Sequence, residues 1–232
     1  MKQHYFIIQP PNGGVNIEKK IETMAFKLYK GMHMMRAFEE SFLMLRFPRP
    51  QSPELDFRRF FHSPSITAEK YAEFKGIFAI ELSDWLKEYS SLEFENFLDF
   101  IRDSNANMQF IFMVKGNKEN CKNIYNVLNH TLFYVNQIEL QYPNIEQLTE
   151  YILKELDCQL TSGAANEIKR LLEHISNTDD FEGYNTARII IGYILASKES
   201  DKIKANDIKN VEAIYKVHKE DKKDVRKIGF LI

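Results

Sequence analysis

The sequence predicts an α/β fold, a parallel sheet sandwiched between helices, followed by a small all-helical domain. Three observations predict it. Short apolar runs rich in aromatic and β-branched residues occur at residues 5–8, 76–82 and 108–114, an alternating run follows at 135–140, and a helix-periodic segment (residues 92–101) separates the second from the third. The first run passes through a loop with two adjacent glycines directly into a helix-periodic segment, which is the entry unit of a parallel α/β fold. Past Pro143 the strand-like runs stop and helical periodicity dominates.

In chain order, residues 5–8 (YFII) read as a buried strand closed by Pro10 and Pro11. After the loop at residues 9–16 (QPPNGGVN), residues 17–29 place Ile17, Ile21, Met24 and Leu28 on one helical face, with Asn16 as N-cap. Pro48, Pro50, Pro53 and Pro64 interrupt the stretch from 31 to 72. Within it Met32, Met34 and Met35 cluster with Phe38, Phe42 and Leu43, which reads as a buried helix in preference to an adaptable Met-rich binding surface. Strands follow at 76–82 (GIFAIEL), 108–114 (MQFIFMV) and 135–140 (VNQIEL), with a helix at 92–101. Residues 145–156, 162–175 and 184–198 are helix-periodic, with Thr161 or Ser162 capping the second, and a last helix covers about 207–217. The expected domains are therefore an α/β core at 1–143 and a helical lid at 144–232.

Composition narrows the functional classes. The chain is 44% hydrophobic and 28% charged, and its 18 Phe and 11 Tyr can fill a substantial core. A net charge of −2 argues against a dedicated nucleic-acid binder. The run Phe57-Arg58-Arg59-Phe60-Phe61 is expected to pack on the core, and the basic tail, mixed with Glu220, Asp221 and Asp224, to be a solvated face. Cys121 and Cys158 match no metal or redox spacing and read as free thiols. The six histidines are scattered without a ligand pairing, so no metal site is expected; His174 reads as solvated. Glu39-Glu40 and Asp179-Asp180 read as surface or capping carboxylates. The apolar run near the N-terminus is too short for a signal peptide or a membrane span, so a cytoplasmic protein without a membrane role is expected.

The loop at residues 9–16 stands where a phosphate-binding P-loop would stand. That pattern, GxxxxGK followed by Ser or Thr, cradles phosphates with backbone N–H groups, neutralises them with Lys and holds Mg²⁺ with the hydroxyl. Here Gln9 replaces the first glycine, Val15 the lysine and Asn16 the hydroxyl residue, while Asn12, Gly13 and Gly14 keep the loop. Residues 76–82 stand in the place of a Walker B strand. Glu81 falls where the Mg²⁺-positioning Asp belongs and could hold a cation, and Leu82 falls where the water-activating Glu belongs. Asn117, after the third strand, reads as a turn residue or as a polar sensor.

With these elements in this order, the chain resembles AAA+ ATPases, a P-loop-NTPase-like core with a lid. It is most similar to the group of stage V sporulation protein K, red-type rubisco activase and the type VII secretion ATPases. That group reads GVLFIDEAY where this chain has Gly76-Ile77-Phe78-Ala79-Ile80-Glu81-Leu82-Ser83-Asp84. Its lid begins at a Phe-Pro-like boundary, here Tyr142-Pro143, and carries a Gly-Asn-Ala-Arg helix start, here Gly183-Tyr184-Asn185-Thr186-Ala187-Arg188. Its members often end in a basic stretch and Ile-Gly-Phe, here Lys227-Ile228-Gly229-Phe230.

The resemblance implies a nucleotide site at Asn12, Gly13, Gly14, Glu81 and Arg188, vestigial because the departures fall on its chemistry. Arg188 is the counterpart of one lid arginine, and the second falls on Ile190 or Ile191. The arginine finger falls in Thr131-Leu132-Phe133. Such a finger is worth about 10³–10⁵ in rate. The expected function is a catalytically inactive AAA+-like regulatory or scaffold protein, without cofactor, that binds a protein partner, either an active AAA+ subunit or another copy of itself. The alternatives are a divergent ATP-binding ATPase and a helicase-loader or clamp-loader-like nucleic-acid module.

Overall fold

The computed structural model describes residues 3–32, 36–45, 74–83, 86, 90–156, 160–197 and 202–212. The Phe57–Phe61 run, the proline-rich stretch, Cys158 and the C-terminal tail lie outside them. The chain divides into two compact units, one of residues 1–12 and 16–141, the other of residues 13–15 and 142–232. The helical unit thus takes in three loop residues that the sequence places in the core domain.

The sheet unit is built from β1 (His4–Gln9), α1 (Ile17–Met32), α2 (Phe38–Ser41), β2 (Phe42–Leu45), β3 (Gly76–Glu81), α3 (Ser91–Ser104), β4 (Met108–Lys115), α4 (Lys122–Leu132) and β5 (Val135–Glu139). Its five strands run in the order β2-β3-β4-β1-β5, and every pairing is parallel. A parallel sheet is covered on both faces, which is why β1, β3 and β4 are nearly continuous apolar runs and why simple pattern reading finds them. Phe6, Phe78, Phe97, Phe110 and Phe112 are fully buried, each stabilising by roughly 1.5–3 kcal/mol. A capping box starts α3: Glu93 N–H donates to Ser90 Oγ (3.2 Å), and Ser90 N–H donates to Glu93 Oε2 (2.8 Å).

The structure adds a strand that the sequence reading lacked. Phe38, Phe42 and Leu43 are not one face of a buried helix; the helix ends at Ser41 and Phe42 begins β2. The i, i+4 spacing of Phe38 and Phe42 mimics a helical face. Their rings do stack at 5.4 Å, but across a helix-to-strand junction. β3 meets this segment closely, since a Cβ on Gly76 would lie 2.2 Å from the Ser41 carbonyl oxygen, so only glycine fits there.

The helical unit holds α5 (Ile145–Leu156), α6 (Ser162–Ser176), α7 (Tyr184–Ser197) and a helical stretch at residues 205–212. Its own core includes Leu148, Ile152 and Leu156 of α5, Ile168 and Leu172 of α6, and Ile190 and Ile194 of α7. Asn144 and Gln147 cap α5 reciprocally, Gln147 N–H donating to Asn144 Oδ1 (2.8 Å) and Asn144 N–H to Gln147 Oε1 (3.1 Å). Thr161 occupies the N-cap position of α6, but its side chain does not cap. Its hydroxyl donates instead to the Ile203 carbonyl (3.3 Å), beside a parallel bridge between Leu160 and Ile203. No helix among the described residues is long and apolar enough to cross a membrane.

Candidate functional site

The carboxyl ends of β1, β3 and β4 carry the residues that the sequence aligns with a nucleotide site in the sheet unit. Gln9 ends β1 and is only 2% exposed. Its Nε2 donates to Glu81 Oε2 at 3.1 Å, although β4 lies between their strands. The other Glu81 oxygen accepts from the Ser83 N–H (3.2 Å) and from the Ser83 hydroxyl. Ser83 Oγ accepts in turn from the Lys115 N–H at the end of β4 (2.6 Å). Glu81 is thus the acceptor hub of a clasp across three strand ends. Replacing it by alanine leaves the buried Gln9 amide without this acceptor, so Glu81→Ala is expected to lower stability by about 1–3 kcal/mol in urea unfolding.

Leu82 follows at once and is fully buried in the sheet unit's core, and Leu132 at the end of α4 is buried in the same core. The positions that the sequence resemblance matches to a catalytic base and to an arginine finger are therefore built into apolar packing. Asn117 is a turn residue here: its Oδ1 accepts from the Asn120 N–H at 2.8 Å, an Asx turn. Asn12 is exposed in the turn that leads out of β1.

The glycines belong to the helical unit. Gly13 and Gly14 both have left-handed backbones (φ +72° and +68°). Gly14 is pressed against the turn before α7, where an added Cβ would lie 1.8 Å from the Glu182 carbonyl oxygen; nothing lies within 4 Å of one on Gly13. The Gly14 carbonyl accepts from the Tyr184 N–H at 2.9 Å. Tyr184 opens α7, so the loop satisfies one of the donors that every helix leaves unpaired at its start. Gly183 is equally confined: a Cβ there would meet the Gly14 carbonyl oxygen at 2.6 Å and the Tyr142 ring at 2.8 Å. Tyr142 packs edge-on to Phe181 at 5.5 Å. Burial, and secondarily the charge of Glu182, hold the Tyr142 phenol above its ordinary pKa. The Tyr142-Pro143 boundary, Gly14 and Gly183 are three places singled out separately in the sequence, and the structure brings them together.

Arg188 is exposed on α7 and its Nη1 donates to Asn185 Oδ1 (3.3 Å), one turn earlier. Ile190, one candidate for the second lid arginine, is fully buried. Of the six histidines, His4 is 2% exposed, and its Nδ1 accepts from the Phe110 N–H (3.1 Å) as part of the sheet, whereas His174 is exposed. Cys121 is a buried free thiol, its pKa raised by burial and then by Glu139. No group of three or more His, Cys, Asp or Glu able to hold a metal occurs among the described residues.

The sequence reading missed Gln9 as a partner for Glu81 and the Gly14–Tyr184 hydrogen bond. A buried glutamine ending an apolar strand was a usable signal for the first; the second has none, because its partners lie far apart in the chain.

No protein-family profile matches the sequence, and no curated protein matches it significantly. By structure, the chain is similar to RuvB from Thermotoga maritima, with a TM-score of 0.54 over 91% of this chain and 12% identity. It folds like an AAA+ ATPase. A second RuvB structure from the same organism gives a TM-score of 0.50 at 10% identity. This chain spans 61–62% of the length of those RuvB chains. At such identities the likeness establishes the fold: a P-loop-NTPase-like parallel sheet followed by a helical part.

Proposed function

We propose that this AAA+-like chain has exchanged nucleotide hydrolysis for binding, and acts as a regulatory or scaffold protein through a protein partner. That partner is an active AAA+ subunit or another copy of the chain; no cofactor is required and nucleic acid is not the expected ligand. The observation that carries this reading is the burial of Leu82 and Leu132 at the positions aligned with the catalytic base and the arginine finger. Phosphoryl transfer rests on positioning and charge stabilisation, and an aliphatic core side chain supplies neither. Val15 supports the same reading, since it cannot offset phosphate charge.

An ATPase assay tests it. Purified protein is expected to show no turnover above a blank, whether dilute or concentrated enough to assemble. Val15→Lys combined with Asn16→Thr is expected to leave turnover absent, because Leu82 and Leu132 remain. Robust wild-type hydrolysis abolished by Glu81→Ala would defeat the proposal.

A further inference from the structure

Asn12 precedes Gly13, and none of the other asparagines in the chain is followed by glycine. Asn12 is exposed, in the turn that leads out of β1. Gly13 has open space around its α-carbon: a Cβ there would meet nothing within 4 Å, and its φ of +72° is a conformation that side chains disfavour. The backbone nitrogen of Gly13 is therefore crowded by no side chain of its own. Elsewhere the residue after an asparagine carries a side chain, such as Lys118 after Asn117 and Ile145 after Asn144, which hinders approach to the backbone nitrogen between them.

An exposed asparagine before an open glycine can modify itself, with water as the sole co-reactant. Hydroxide removes the Gly13 backbone proton, and the nitrogen attacks the side-chain carbonyl carbon Cγ of Asn12. The N–Cγ bond forms and the Cγ–Nδ2 bond breaks. The departing amide nitrogen takes a proton from water and leaves as ammonia, and a cyclic succinimide remains. Water then opens the ring at either carbonyl. Opening at Cγ gives an aspartyl residue. Opening at the main-chain carbonyl gives an isoaspartyl residue, whose main chain runs through the former side chain and is one atom longer.

We infer that Asn12-Gly13 is a self-modifying site, which converts without an enzyme to aspartyl and isoaspartyl forms and so places a carboxylate on this loop as the protein ages. The loop at residues 9–16 has no charged side chain of its own. The new carboxylate stands at the strand end where the resembled family holds phosphate, and it repels an anion there. The isoaspartyl form also lengthens the chain just before Gly14, whose carbonyl accepts from the Tyr184 N–H at 2.9 Å. The inference does not depend on the proposed loss of hydrolysis, since the reaction needs neither nucleotide nor partner.

Peptide mapping by mass spectrometry tests it, on the full chain kept in neutral and in mildly alkaline buffer and sampled over days. Labelling with an isoaspartyl methyltransferase separates the two products. The peptide that contains Asn12 is expected to deamidate many-fold faster than any other asparagine peptide, and at a rate that rises in proportion to hydroxide. Gly13→Ala, where the added methyl meets nothing, should slow the conversion several-fold while the chain stays folded. Asn12→Gln should abolish it. Conversion at Asn12 no faster than at the other asparagines would overturn the inference, as would a rate indifferent to Gly13→Ala or conversion seen only in the urea-unfolded chain. None of these outcomes bears on ATP turnover, which is measured separately.

Discussion

Gly14→Ala is expected to destabilise the protein by about 3–5 kcal/mol, and Gly13→Ala by only about 1 kcal/mol. Both residues have left-handed backbones, and a Cβ in that conformation costs roughly 1–2 kcal/mol. Alanine also restricts the unfolded chain, which offsets part of that cost at both sites. At Gly13 the added methyl meets nothing. At Gly14 it would stand 1.8 Å from a backbone oxygen, so residues 14 and 182 must separate. Separation strains or breaks the hydrogen bond from the part-buried Tyr184 N–H, a loss of about 1 kcal/mol or more. Urea unfolding of the two variants side by side measures the difference. Equal and small effects would mean that the loop does not hold the start of α7.

Leu82→Glu, the substitution that would return a base to the sheet, is expected to cost about 3–5 kcal/mol at neutral pH. Leu82 is 0% exposed among phenylalanines, and a carboxylate there has lost its water without gaining a partner. Burial raises the pKa of such a carboxyl, so the sign of the pH dependence follows. The protonated form is tolerated below the unfolded pKa of about 4.3, and stability is lost as pH rises through the raised folded value. Melting temperatures of wild type and variant should therefore diverge from acid to neutral pH. A variant as stable as wild type at neutral pH would show that the site is open to water. That result would weaken the case that catalysis has been built over.

Much of the sheet was legible because β1, β3 and β4 are short apolar runs bounded by breakers and β5 alternates. β2 was not, because four residues are too few to show a strand period, and Phe38 and Phe42 happen to repeat at a helical one. The helical unit was legible because α5 repeats Leu148, Ile152 and Leu156 at four-residue spacing. At the site, the sequence reading set Val15, Leu82 and Leu132 at positions where the resembled family is charged, but did not say what the remaining residues do. Glu81 looked like a leftover metal ligand; the structure gives it Gln9 and Ser83 as donors, and neither follows from local pattern. Gly13 and Gly14 looked equivalent. Only the approach of Glu182 from far along the chain separates them, because contact between distant segments is set by tertiary packing and not by periodicity.

We propose that the strand ends that would hold nucleotide in this fold serve structure instead. Calorimetric titration of the wild-type chain with Mg·ATP tests it most directly. No saturable heat is expected, because Val15 leaves phosphate charge uncompensated and the Glu81 carboxylate is engaged by Gln9 and Ser83. Saturable binding that Glu81→Ala abolishes, in a variant shown to be folded, would contradict it.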